Sequence, residues 1–156
     1  MEAFAEDILP GEQPAIETSN VNRLIGFTNL IRDPNRRYPA IGTVTGAAGT
    51  GKTVAVHYYV SQERLRPSTW LPAVVKVKVK PRSTPKAFAV DLLQSMQEEP
   101  KGQNVYQVAD EATAAITRNV VELMIVDEAD RLTEESFDIL RHIHDKSGCR
   151  IVVVGL

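Results

Sequence analysis

The octapeptide Gly46-Ala47-Ala48-Gly49-Thr50-Gly51-Lys52-Thr53 spaces its glycines, lysine and hydroxyl as G-x-x-x-x-G-K-[ST]. Residues of these types at this spacing can hold a phosphate chain. Glycine lets the backbone turn tightly and come within hydrogen-bonding distance of phosphate oxygens. Successive N–H groups and the positive end of a following helix then surround the anion. Lys52 supplies a mobile positive charge for the outer phosphates. The Thr53 hydroxyl suits Mg²⁺, which prefers oxygen ligands and keeps water and phosphate in its other positions. Downstream, Leu123-Met124-Ile125-Val126-Asp127-Glu128 is an apolar run that ends in two carboxylates. Asp127 is suited to hold the metal, directly or through water, and Glu128 to orient and deprotonate a water that attacks a γ-phosphate. Together these residues predict a site for ATP with Mg²⁺ in which Lys52 and Glu128 are the catalytic pair.

Both halves of such a site need rigid mounts. The apolar run Ile41 to Thr45 reads as a short buried strand leading into the loop. Thr53 to about Leu65 reads as a helix with Val56, Tyr59, Val60 and Glu63 on one face. Val121 to Val126, interrupted only by Glu122, reads as a buried strand whose C-terminal end delivers the two acids into the crevice of an open α/β sheet. Ahead of the loop, Asn20 is placed to cap a helix bearing Val21, Leu24, Ile25, Thr28 and Ile31, ended by Asp33-Pro34-Asn35. From Ala73 to Lys80, Val75, Val77 and Val79 alternate with Lys76, Lys78 and Lys80, the pattern of a half-buried strand near a sheet edge. Thr84 then caps a helix with Pro85 at its first position and Phe88, Leu92, Leu93 and Met96 as its apolar stripe, up to Pro100-Lys101-Gly102.

A second helix is expected from about Asn104 to Asn119, with Val108, Ala112, Ala115 and Ile116 along one side. Thr133 caps a further helix with Phe137, Leu140 and Ile143 on its apolar face and Lys146 and Gly148 at its end. Ile151 to Val154 is a last strand, expected in the middle of the sheet. The sum is a three-layer α/β core of the P-loop NTPase kind, with a parallel sheet and helices on both faces. An additional strand, Ala73 to Val79, is expected between the two nucleotide motifs. Residues 1–19, with Pro10, Gly11, Pro14 and no periodicity, read as a flexible lead-in, and 20–156 as one domain.

A formal net charge of -2 gives no general attraction to a polyanion, so any contact with nucleic acid must use a local basic patch. The single cysteine, Cys149, excludes an intrachain disulfide framework and suits a reducing compartment. No apolar run approaches a membrane span, and the N-terminus lacks the basic start and long apolar centre of a signal peptide. A cytoplasmic protein is expected.

Four stretches together resemble the AAA+ ATPases that regulate transposition, of the TnsC, TniB and MuB type. They are Gly46 to Thr53; Lys80-Pro81-Arg82-Ser83-Thr84-Pro85-Lys86; Val121 to Leu132, including Asp127-Glu128-Ala129-Asp130-Arg131; and Ile151-Val152-Val153-Val154-Gly155. The resemblance runs from about residue 20 to the end. Its nucleotide motifs are specific to AAA+ and related ATPases. The assignment to transposition regulators rests on the less specific stretches around residues 80–86 and 121–132. The inserted strand fits the additional-strand branch of phosphate-loop ATPases, to which AAA+ proteins belong.

The resemblance implies an ATP-dependent DNA-binding protein that assembles into rings or filaments on duplex DNA, recruits a transposase, and chooses or protects target sites. Carried over, Gly46, Ala47, Ala48, Gly49, Thr50, Gly51, Lys52 and Thr53 contact ATP, Thr53 and Asp127 hold Mg²⁺, and Glu128 handles the attacking water. The DNA contacts fall on Lys80, Arg82, Ser83, Thr84 and Lys86. A basic turn leading to a capped helix suits phosphate oxygens, although lysines there could equally solubilise an edge strand. Arg131, Arg141 and Arg150 are candidates for an arginine finger offered to a neighbouring subunit.

Where family members place a γ-phosphate-sensing Thr or Asn, after the glycine equivalent to Gly155, this chain has Leu156. The sensor is then expected elsewhere, or hydrolysis is weak. The family's fifth strand and helical lid would follow Leu156, so the chain is expected to be a core truncated after its fourth strand. Two other functions fit the same motifs: a replication-initiator or clamp-loader type of AAA+ ATPase, and a nucleotide-switched partner-binding module with little turnover. The letters Asp127-Glu128-Ala129-Asp130 also spell a helicase motif, but no Ser-Ala-Thr coupling motif follows, and the guanine-reading Asn-Lys-x-Asp of GTPases is absent.

His57, His142 and His144 have no second ligand at a metal spacing and are expected to be solvated or packed. Cys149 is expected to be a small buried hydrophobe, and Trp70 a loop aromatic covering the core.

Overall fold

A computed structural model describes residues 19–33, 35, 41–64 and 74–155. The elements in chain order are α1 (Ser19–Arg32), β1 (Ile41–Val44), α2 (Lys52–Arg64), β2 (Val74–Lys78), α3 (Pro85–Ser95), α4 (Val105–Arg118), β3 (Leu123–Asp127), α5 (Glu134–Ser147) and β4 (Arg150–Val154). A 3₁₀ turn, Ala129–Arg131, joins β3 to α5. Residues 1–18 of the expected lead-in, Trp70 and Leu156 lie outside the described residues, and Ser19, assigned to the lead-in from the sequence, is the first residue of α1. Among the described residues no helix is long and apolar enough to cross a membrane.

The four strands form one parallel sheet in the order β1-β4-β3-β2. Alternate residues of each strand feed two separate cores. Val74, Leu123, Ile125, Val152 and Val154 pack under α1 and α2. Val75, Val77, Val79, Met124, Val126, Ile151 and Val153 pack under α3, α4 and α5. Helices therefore cover both faces, as the near-continuous apolar runs of β3 and β4 require. Phe88, Leu92, Leu93, Ile116, Leu140 and Ile143 are among the largest fully buried side chains, each worth roughly 1.5–3 kcal/mol of burial.

The additional strand, β2, lies between the two nucleotide motifs in chain order, while in the sheet β1 and β3 are separated by β4, in the interior place expected for Ile151 to Val154. β2 lies outside β3, at the end of the described sheet, which is why its lysines reach solvent. β1 occupies the other end of the described order and is only part-buried, in place of the fully buried strand expected from its sequence.

Helix ends follow local chemistry. Thr84 accepts from Ala87 N, with Pro85 behind it, and Thr133 accepts from Ser136 N. Asn104 and Gln107 make a reciprocal capping box on α4. Gly148 closes α5 at φ 70°, a left-handed conformation that costs glycine nothing. Three expectations are corrected. Asn20 is not an N-cap, because helix already begins at Ser19. α3 stops at Ser95, five residues before Pro100, because Met96 and Glu98 both donate to Leu93 O and Gln97 turns left-handed at φ 60°. On α5 the buried face is Ser136, Ile139, Leu140 and Ile143, and Phe137 is 39% exposed.

α1 is fastened at its C-terminal end by Arg32. The guanidinium lies 2.7 Å from Glu63 on α2, 2.8 Å from Glu122 just before β3, and 3.0 Å from the Tyr59 hydroxyl. Burial alone would push Arg32 down. The bonds to Glu122, Tyr59 and Glu63 outweigh it and hold the guanidinium above its ordinary range.

Candidate functional site

β1 ends at Val44 and α2 begins at Lys52, so the glycine-rich loop spans the gap between a strand's C-terminal end and a helix N-terminus. Gly49 and Gly51 take φ of 78° and 80°, which an L side chain rarely adopts, and this is why glycine stands at these two positions. Thr50 Oγ1 donates to Ala47 O at 2.8 Å inside the loop. Lys52 folds back over it, with its ammonium on Gly46 O and, at 2.9 Å, on Ala47 O. From outside the loop, Asn20 Nδ2 donates to Thr50 O at 3.0 Å.

The two acids arrive from β3. Leu123, Ile125 and Asp127 share the sheet face that looks toward α2, and this parity brings Asp127 to Thr53. Thr53 Oγ1 lies 3.3 Å from Asp127 Oδ1, across 74 positions of sequence. The same Oδ1 accepts the Glu128 N–H at 2.9 Å. Asp127 is 2% exposed, and its other oxygen, Oδ2, is buried with no hydrogen-bond partner. A buried carboxylate oxygen without a partner is costly unless something positive meets it. A carboxylate and a hydroxyl side by side at the end of a phosphate loop are the hard oxygen donors that Mg²⁺ takes. The residues present therefore fit that ion.

Glu128 has φ 56° and ψ 40°, a left-handed conformation that costs a non-glycine residue about 1–3 kcal/mol. Its backbone is held by Asp127 Oδ1 on one side and by Arg131 N, which donates to Glu128 O at 3.1 Å, on the other. Its side chain is shared by two cations. Lys78 Nζ is 3.1 Å from Oε1, and Arg131 pairs with Oε2 while also reaching Val79 O. Lys78 stands there because β2 pairs Lys78 with Asp127. Arg131, one of the arginine-finger candidates, thus engages a carboxylate of its own subunit. Arg141 pairs with Asp138 at 3.2 Å on the exposed side of α5, and Arg150 starts β4 at the opposite end of the sheet from the loop.

Gly155 closes the floor. Its N–H donates to Val44 O at 3.1 Å, and a Cβ there would come within 2.9 Å of Asp130 N, so only glycine lets the turn after β3 pass so close.

The basic segment divides. Arg82, at φ 57°, is exposed and has no side-chain partner among the described residues. Lys80 pairs with Asp91 at 2.5 Å, and Lys86 donates to Gln103 O at 2.6 Å. Ser83 is buried, and the Thr84 hydroxyl is occupied as the α3 cap. These two have structural work in the fold, which the shared composition of the segment conceals.

Residues 35–156 match the AAA domain family. The chain belongs to that family. A match over more than half of the chain, on a parallel sheet with the loop and the Asp127 strand as its two motifs, makes this AAA domain a P-loop NTPase core, and its family one of nucleotide-binding ATPases. No curated protein matches the chain in sequence.

Of the side chains set aside, His57 lies 2.7 Å from Lys76 Nζ, His142 pairs with Asp110, and His144 contacts Cys149 O. No group of three potential metal ligands occurs among the described residues. Burial pushes the Cys149 thiol up to about 12, which makes it a packed hydrophobe and a poor nucleophile. Sequence reasoning missed Lys78 as a partner of Glu128, and Asn20 as a partner of the loop. The Lys76-Lys78-Lys80 alternation was the one available signal for Lys78, since it fixed the face of the strand, and the register fixed the neighbour.

Proposed function

We propose that this AAA domain binds ATP with Mg²⁺ and hydrolyses it to ADP and phosphate, and that it acts as an oligomer on duplex DNA as a transposition regulator. The observation that carries the nucleotide reading is the buried, unpartnered Asp127 Oδ2 beside the Thr53 hydroxyl. Bound there, Mg²⁺ would neutralise charge on the phosphates. The chain's own residues do the rest. Backbone N–H groups from Gly46 to Thr53 surround the phosphates. Lys52, on leaving the Gly46 and Ala47 carbonyls, places its ammonium on the outer oxygens. Glu128 accepts a proton from the attacking water.

The DNA reading rests on the resemblance to transposition regulators and on Lys80 and Arg82 in the turn after β2 and Lys86 in the first turn of α3. Within it, a transposase is the partner and the cytoplasm the setting. A second reading, a nucleotide switch with little turnover, is favoured by one observation: both oxygens of Glu128 are engaged by cations.

The test is calorimetric titration of ATP with and without Mg²⁺, followed by sedimentation with duplex DNA. Binding that needs the metal, and assembly that needs both ATP and DNA, are expected. Absence of ATP binding overturns the nucleotide reading. A monomer under every combination overturns the DNA assembly.

A further inference from the structure

We propose that Asn20 is a positioning residue for the phosphate loop, locking the Thr50–Gly51 peptide so that the Gly51 N–H faces a bound phosphate. This rests on the ATP reading above. Asn20 Nδ2 donates to Thr50 O at 3.0 Å from 30 positions away. A peptide is planar and trans, so the Thr50 carbonyl and the Gly51 N–H point in opposite directions. Drawing the carbonyl toward α1 therefore sets the direction of the N–H. That N–H donates to no acceptor among the described residues, which leaves it available to an anion.

The peptide needs a lock. Gly51 has φ 80° and carries no Cβ, so no side chain of its own holds this peptide's direction. Lys52 also restrains the loop, but it does so through the Gly46 and Ala47 carbonyls, which it must leave to reach a phosphate. The Asn20 bond comes from outside and need not break on binding.

α1 is a suitable fixed point. Val21, Leu24, Thr28 and Ile31 bury one side of it, and Arg32 ties its far end to Glu63 and Glu122. Asn20 itself is exposed, so its amide adds little to packing.

ATP and, separately, inorganic pyrophosphate are titrated into the wild type, Asn20→Ala and Asn20→Asp. Affinity for both ligands falls about three- to tenfold in Asn20→Ala, the worth of one neutral hydrogen bond. It falls further in Asn20→Asp, whose carboxylate repels the Thr50 carbonyl. The ligand-free melting temperature stays the same, while the Gly51 amide resonance shifts. Equal affinities in all three proteins overturn the role of Asn20 and leave the ATP reading standing. A wild type that binds neither ligand overturns both. A loss of affinity in Asn20→Ala matched by a drop in melting temperature also overturns the proposal, because it makes the contact merely structural.

Discussion

Lys78 and Glu128 stand at the ends of adjacent parallel strands, with Lys78 Nζ 3.1 Å from Glu128 Oε1. Arg131 takes the carboxylate's other oxygen, so the residue suited to activate water is held by its own subunit. The Lys78 side chain is 55% exposed, which limits the pair to about 0–1 kcal/mol. Removing that hold lets Glu128 turn to a water more often. Lys78→Ala is expected to raise steady-state ATP turnover about two- to fivefold at low salt, with the gain shrinking as salt screens the wild-type pair. Turnover that stays the same or drops in Lys78→Ala would show that the pair does not restrain Glu128.

In the proposed mechanism Lys52 and Glu128 act at different stages, so their removal should look different. Glu128→Gln keeps size and packing but cannot take a proton. ATP affinity is expected to persist while turnover falls by about 10²–10⁴-fold. Lys52→Ala removes the charge that meets the outer phosphates, and affinity itself should fall. Equilibrium binding and phosphate release on the two variants check this; matched, unchanged turnover in both removes the mechanism.

Asp127 is buried at 2% exposure with one oxygen unpartnered, which is a cost in the ligand-free protein. Asparagine retains an oxygen for the Thr53 hydroxyl and the Glu128 N–H while removing the charge. Asp127→Asn is expected to stabilise the ligand-free protein by about 1 kcal/mol, roughly 2–4 °C in melting temperature, and to abolish the further gain that ATP with Mg²⁺ gives the wild type. Thermal melts in the four conditions decide it. A lower melting temperature in the ligand-free variant would mean that the carboxylate is satisfied as it stands.

Arg82 is the basic residue of this segment left to test against DNA, together with Lys80 once it leaves Asp91 and Lys86 once it leaves Gln103 O. Charge reversal at these three should weaken duplex binding and make its salt dependence shallower, by about one unit of slope for each DNA phosphate that is no longer neutralised. Thr84→Ala should instead lower stability by about 1 kcal/mol by removing the α3 cap, with DNA affinity unchanged. An unaltered salt slope after the triple reversal would leave the segment as a solvated sheet edge.

The order of residues along the chain was enough to find the phosphate loop, the acidic end of β3, and the caps at Thr84 and Thr133. Each depends on interactions within a few residues of itself, between a side chain and nearby backbone. It was enough, too, to place Val75, Val77 and Val79 on one face and the lysines on the other, because strand parity is local. It also placed β4 inside the sheet, from its unbroken apolar run, and β2 near an edge, from its alternating lysines. Which strands flank β4 was beyond it, since the choice among parallel neighbours depends on how all the helices cover both faces at once. Phe137 was misplaced for a similar reason: the period of α5 allowed two faces, and packing against α4 chose the one with Ser136 and Ile139. The hold on Glu128 by Lys78 and Arg131, and on Thr50 by Asn20, joins residues up to 50 positions apart and arises only once register and helix placement bring them together. The phosphate loop is written in consecutive letters, and what surrounds it is a product of the folded sheet.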